Sequence, residues 1–220
     1  VAYVGSFNQN SDTPCWVFPG SLSKSEKNIA EAISHEVGHT LGLNHDGKTD
    51  GTTYYTGHGN WAPIMGVGYS KPIVQWSQGE YNLANNTEDD LAKMPTRGVS
   101  YRTDDHGNTN ATATSLQGIS FSTTGVIETR TDVDFFQFQT GAGHAVITVT
   151  PSPRGPNLHI LLSLYNSAGN LLVSTTAADT SAGVLPVTIS TNLPTGIYYF
   201  SVDGIGEANP ASTGYSDYAS

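Results

Sequence analysis

The stretch His35–Asp46 reads H-E-x-x-H-x-x-G-x-x-H-D, and it constrains this chain more than any other segment. Two histidines four apart on a helix leave from the same face, one turn above the other. Their imidazoles can then occupy two corners of a zinc tetrahedron. Glu36 sits roughly 100° around the helix from His35, which suits a carboxylate that reaches water beside a metal without ligating it. Gly42 lets the chain leave the helix sharply, because glycine enters the left-handed region at little steric cost. His45 then arrives as third ligand, and a fourth position stays open for water, the mark of a catalytic rather than a structural zinc site. H-E-x-x-H alone is a weak signal, and Gly42 and His45 at the required spacing make it specific. The competing reading is a helix with surface histidines and a solvated glutamate.

This pattern resembles the metzincin zinc peptidases, and Asp46 after the third histidine resembles the adamalysin-type variant. The resemblance implies that His35, His39 and His45 bind zinc and that Glu36 is the general base. Metzincins also carry a methionine in a tight turn beneath the zinc. Met65, between Pro63 and Gly66, matches that Met-turn, with a gap-filling core methionine as the alternative. Tyr69, four residues on, is assigned a pocket-wall or oxyanion-side role against plain packing. His58 reads as a loop histidine. Glu80 as a rival third ligand is disfavoured by the spacing of His45. Only 34 residues precede His35, so the expectation is a catalytic domain partial at its N-terminus.

Around this motif the local signals are ordinary. Val1–Phe7 and Cys15–Phe18 read as two strands joined by a polar turn; the metzincin resemblance implies that one of them is the edge that pairs with an extended peptide substrate. Ser23-x-x-Glu26 reads as a capping box. Ile29, Ala30, Ile33 and Val37 recur at helical spacing and are expected to face the core. Thr87-x-x-Asp90 reads as the cap of a last helix. Helical signals stop near Pro95, which gives a division into residues 1–98, a linker 99–103, and a second domain 104–220.

The second domain has short runs separated by turn residues: Gly125–Thr129, Val133–Thr140, Ala145–Pro151, Leu158–Tyr165, Leu171–Thr175, Val184–Ser190 and Ile197–Val202. Such spacing predicts an antiparallel sandwich. In the fourth run Leu158, Ile160, Leu162 and Leu164 are expected inside, with His159 and Ser163 facing out. Asp104-Asp105-His106-Gly107-Asn108-Thr109, Asp132-Val133-Asp134-Phe135-Phe136 and Asn192–Tyr199 resemble the bacterial pre-peptidase C-terminal domain, a jelly-roll-like module of secreted peptidases. Against that family the chain stops one strand short, after Gly214–Ser220. Related sandwich modules of collagenases bind calcium through acidic loops. By that resemblance Asp104, Asp132 and Asp134 are candidate calcium ligands, with solvation and turn capping as the alternative.

The fold class expected is therefore an α+β metzincin-type catalytic domain followed by an all-β antiparallel sandwich. A net charge of −10 with only 13% charged residues leaves nothing to neutralise a row of phosphates, which excludes nucleic acid as partner. No apolar run approaches the roughly 20 residues that span a bilayer. The composition fits a secreted bacterial-type protein. Cys15 is the single cysteine, so no disulfide forms within the chain. The function expected is a secreted zinc metalloendopeptidase acting on proteins or peptides. Two alternatives stand beside it: a surface- or polymer-binding protein with an inactive peptidase-like domain, and a zinc hydrolase of non-peptide substrates.

Overall fold

A computed structural model describes residues 1–9, 13–181 and 183–219. The chain divides into two compact units. The first is Val1–Tyr101 with Ser181–Gly183 and Gly206–Ala219, and the second is Arg102–Thr180 with Val184–Ile205. Gly206–Ala219 follows the strands of the second domain in sequence, but its hydrogen bonds run to loops of the first unit. Among the described residues no helix is long and apolar enough to cross a membrane.

The first unit is built on helix α1, Glu26–Thr40. Its N-cap is Ser25, whose hydroxyl accepts from the Asn28 amide at 3.4 Å, not Ser23 as the capping-box pattern predicted. Ser23 and Lys24 both have positive φ, so the chain is still turning there. The expected core stripe is also displaced. Ala30 is exposed and Ile29 half-buried, Ile33 is 46% and Val37 37% exposed, while Ala32, Gly38, His39 and Thr40 are buried. The expected strands Val1–Phe7 and Cys15–Phe18 do not form. Val1 and Trp16 exchange a single pair of backbone hydrogen bonds, and part of the polar turn between them lies outside the described residues.

In the same unit β1 (Trp61–Pro63) and β2 (Ile73–Gln75) pair in parallel, Trp61 opposite Ile73. Leu43, Met65 and Ile73 are fully buried around them. A short helix α2, Asp90–Lys93, is capped by the Asp89 carboxylate on the Ala92 amide at 2.8 Å; Thr87 is not the cap.

The second unit contains β3 (Thr114–Ser115), β4 (Val133–Thr140), β5 (Gly143–Val149), β6 (Ile160–Asn166), β7 (Leu171–Thr176), β8 (Asp179–Thr180), β10 (Val187–Leu193) and β11 (Gly196–Gly204); a short β9 spans Gly183–Val184. The run Gly125–Thr129 forms no strand. Five strands make one sheet in the order β3-β4-β11-β6-β7, while β5 and β10 pair antiparallel as a separate ribbon. Strand β4 alternates strictly, burying Asp134, Phe136 and Phe138. The Phe136 and Phe200 rings stack 4.9 Å apart across their register pair. His159 and Ser163, expected to face solvent, are 2% and 4% exposed. Strand β6 lies inside the sheet between β11 and β7, and His159 answers its burial by bonding the Ala177 carbonyl at 3.0 Å.

Candidate metal centre

Helix α1 ends in a turn that positions the third histidine. The Leu43 amide reaches back to the Gly38 carbonyl at 3.0 Å and the Gly42 amide to His39 at 2.9 Å. Gly42 has φ of +94°, the left-handed value that this exit requires. A side chain there would be strained and would also press on the Arg97 guanidinium.

His35, His39 and His45 offer ring nitrogens that all lie within 4.8 Å of one another. Their orientation is set by outer partners. His35 Nδ1 donates to the Ile64 carbonyl and His39 Nδ1 to the Leu43 carbonyl, each at 2.8 Å. A hydrogen on Nδ1 leaves Nε2 as the lone pair, the form in which imidazole binds a metal. His39 Nε2 faces His45 Nε2 at 2.9 Å, so the nitrogens of two rings converge on one point. Burial holds the His35 imidazole below its ordinary pKa. Burial, then the neighbouring His39 and His35, push His45 down to about 4. Neutral imidazoles, two of them fixed by carbonyls, fit a zinc ion.

Glu36 lies beside this group without joining it. Its Oε1 is 2.7 Å from the α-amino group of Val1, and its Oε2, though buried, has no hydrogen-bond partner among the described residues. The site opens into a cleft of about 340 Å3 lined also by Ala32, Tyr54, Val67 and Tyr69. Tyr69 is 39% exposed on the cleft wall. Tyr54 was not anticipated; its ring lies 4.4 Å from that of His45, and nothing in the polar loop around it distinguishes it from Tyr55. Met65 is wholly buried, and a Cβ on Gly38 would lie 2.6 Å from its sulfur. Helix and methionine turn thus touch through a glycine. Glu80 is held elsewhere, by Ser77, Gln78 and Ser216.

Residues 1–101 match the M12B reprolysin-like metallopeptidase family. No curated protein matches the chain. The match supports a peptidase, a hydrolase of peptide bonds, for this part of the chain, and metallopeptidases of that family use zinc. Within residues 1–101 Asp46 runs on from His45: its amide donates to the Met65 carbonyl at 2.9 Å, tying the loop that carries His45 to the turn that carries Met65.

Asp46 and Asp90 are both almost wholly buried. Burial, with Asp46, Glu88 and Glu80 nearby, pushes Asp90 up to about 8. A carboxyl whose folded pKa is raised holds a proton that the unfolded chain releases near pH 4. Its contribution to stability is therefore present at low pH and is lost as pH rises toward 8. The expected result is a higher melting temperature at pH 6 than at pH 8, with the difference reduced in Asp90→Asn. Equal slopes in both proteins would contradict it.

The second unit holds another group of ligand-type side chains. Oxygens of Asp104, Asp132 and Asp134 lie within 4.8 Å of one another, and so do ligand atoms of Asp105, His106 and Asp134. Asp132 and Asp134 are 4% and 2% exposed, and each has an Oδ1 without a hydrogen-bond partner among the described residues. Burial, then Asp132, pushes Asp134 up to about 7.

Proposed function

We propose that this chain is a secreted zinc-dependent metalloendopeptidase of bacterial type, with a β-sandwich module of the pre-peptidase C-terminal kind behind the catalytic region. The observation that carries the reading is the convergence of three imidazoles, two of them oriented by carbonyls, beside a carboxylate whose buried Oε2 has no hydrogen-bond partner among the described residues. His35, His39 and His45 hold the metal. Zinc held there supplies a Lewis acid that polarises a scissile carbonyl and acidifies water. Glu36 Oε2 accepts the proton of the attacking water and returns it to the leaving amine, base and acid in turn. Met65 fills the floor, and Tyr54 and Tyr69 wall the cleft where substrate side chains lie. The test is cleavage of unfolded casein, expected to stop with a chelator and return with zinc. Cleavage that persists after the metal is stripped would sink the reading, and turnover of small esters without any peptide cleavage would favour a non-peptide hydrolase.

A second cofactor is part of the same proposal. Two buried carboxylates with unpartnered oxygens carry a large desolvation cost unless a cation neutralises them. All-oxygen chemistry suits calcium, so Asp104, Asp132 and Asp134 are read as its ligands. Millimolar calcium should raise the melting temperature by several degrees, since about 100-fold saturation contributes about 2.7 kcal/mol. Asp134→Asn should lose most of that rise; an unaltered chain indifferent to calcium would refute the assignment.

A further inference from the structure

Gly206–Ala219 follows the last strand of the second unit yet packs within the first. It is closed by its own hydrogen bonds. Glu207 and Tyr215 exchange both backbone hydrogen bonds at 2.9 Å, and the Asn209 carbonyl accepts from the amides of Ser212, Thr213 and Gly214. A loop closed on itself loses little further entropy when it docks. Tyr215 and Tyr218 are then buried to 3% and 5% exposure.

Three polar anchors tie the loop down. The Ser216 hydroxyl donates to Glu80 Oε1 at 2.7 Å. The Tyr218 hydroxyl donates to Asp89 at 2.6 Å and accepts from the Leu91 amide at 2.8 Å. His58 Nε2 donates to the Gly214 carbonyl at 2.6 Å, while its Nδ1 accepts from the Tyr55 hydroxyl at 2.6 Å. Both nitrogens of His58 are thus committed, with the hydrogen on Nε2.

Tyr55 carries the connection to the metal centre. Its amide donates to the Asp46 carbonyl at 2.7 Å, and its carbonyl accepts from the Val67 amide at 2.9 Å. Asp46 is the neighbour of His45, and Val67 lies two residues beyond Met65. One path of hydrogen bonds therefore runs from Gly214 through His58 and Tyr55 to the backbone beside the third histidine and the methionine turn.

We propose that Gly206–Ala219 is an intramolecular clamp, and that Tyr218 and His58 are positioning residues through which it holds the loop bearing His45. The metallopeptidase region 1–101 is then incomplete as a metal binder without a segment more than a hundred residues downstream. The functional part of this inference rests on the zinc reading above, and the test separates the two. In the full chain, Tyr218→Ala and His58→Phe are compared with the unaltered protein by zinc competition against a chromophoric chelator, at a temperature well below melting. Each variant is expected to bind zinc about 10- to 100-fold more weakly, the size of losing an outer partner of a metal site. Amide hydrogen exchange on the zinc-free proteins is read in parallel, with faster exchange expected at Tyr55 and Val67 in both variants. Unchanged zinc affinity overturns the clamp even if the variants melt earlier, since that is all a merely structural contact would do. Should the unaltered chain bind no zinc, the metal-centre reading has failed, and unchanged exchange at Tyr55 and Val67 would overturn the clamp independently.

Discussion

Replacing His39 with alanine is expected to lower zinc affinity by well over a hundredfold and to abolish peptide cleavage. His39 is the most enclosed of the three histidines at 7% exposure, and its Nε2 faces His45 at 2.9 Å. Losing an outer partner of a metal ligand costs 10- to 100-fold; losing the ligand itself must cost more. The variant also leaves the Leu43 carbonyl without its imidazole donor, so a modest drop in stability of about 1 kcal/mol is expected beside the metal loss. Equilibrium zinc titration of the folded variant, checked by circular dichroism, measures the effect. Binding as tight as in the unaltered protein would remove His39 from the site and with it the tetrahedral reading.

The convergence of His35, His39 and His45 was the most legible part of the sequence because its geometry is local. Four-residue spacing on one helix places His35 and His39, and a glycine with φ of +94° turns the chain so that His45 follows. Packing against distant elements was far less legible. The stripe Ile29, Ala30, Ile33, Val37 has helical period, but period shows only that one face is apolar, not that anything covers it, and Ile33 remains 46% exposed. Val1–Phe7 and Cys15–Phe18 have strand-like composition, yet strand propensity is realised only against neighbours that supply a ladder. His159 and Ser163 looked solvent-facing by alternation, a pattern that holds only where one face of a sheet is open. The docking of Gly206–Ala219 had no local signal at all. Gly214-Tyr215-Ser216-Asp217-Tyr218 follows the sandwich in sequence and reads with it, whereas Gly214, Ser216 and Tyr218 bond to His58, Glu80 and Asp89. Tyr54 shows the same limit: a tyrosine in a polar loop gives no sign that it will lie against His45.

Glu36 separates an enzyme from a binding protein that merely retains the fold. It is half-buried beside the histidine cluster, its buried Oε2 has no hydrogen-bond partner among the described residues, and it is not one of the three converging side chains. Removing it should leave zinc binding in place while removing the group that takes the proton from water. A positioned base contributes about 10²- to 10⁴-fold. The decisive measurement is therefore cleavage of unfolded casein by zinc-loaded protein beside Glu36→Ala at equal zinc content. The account predicts that the unaltered chain cuts and that the variant, with its zinc retained, is at least about a hundredfold slower. Equal rates in the two, at equal zinc occupancy, would contradict it.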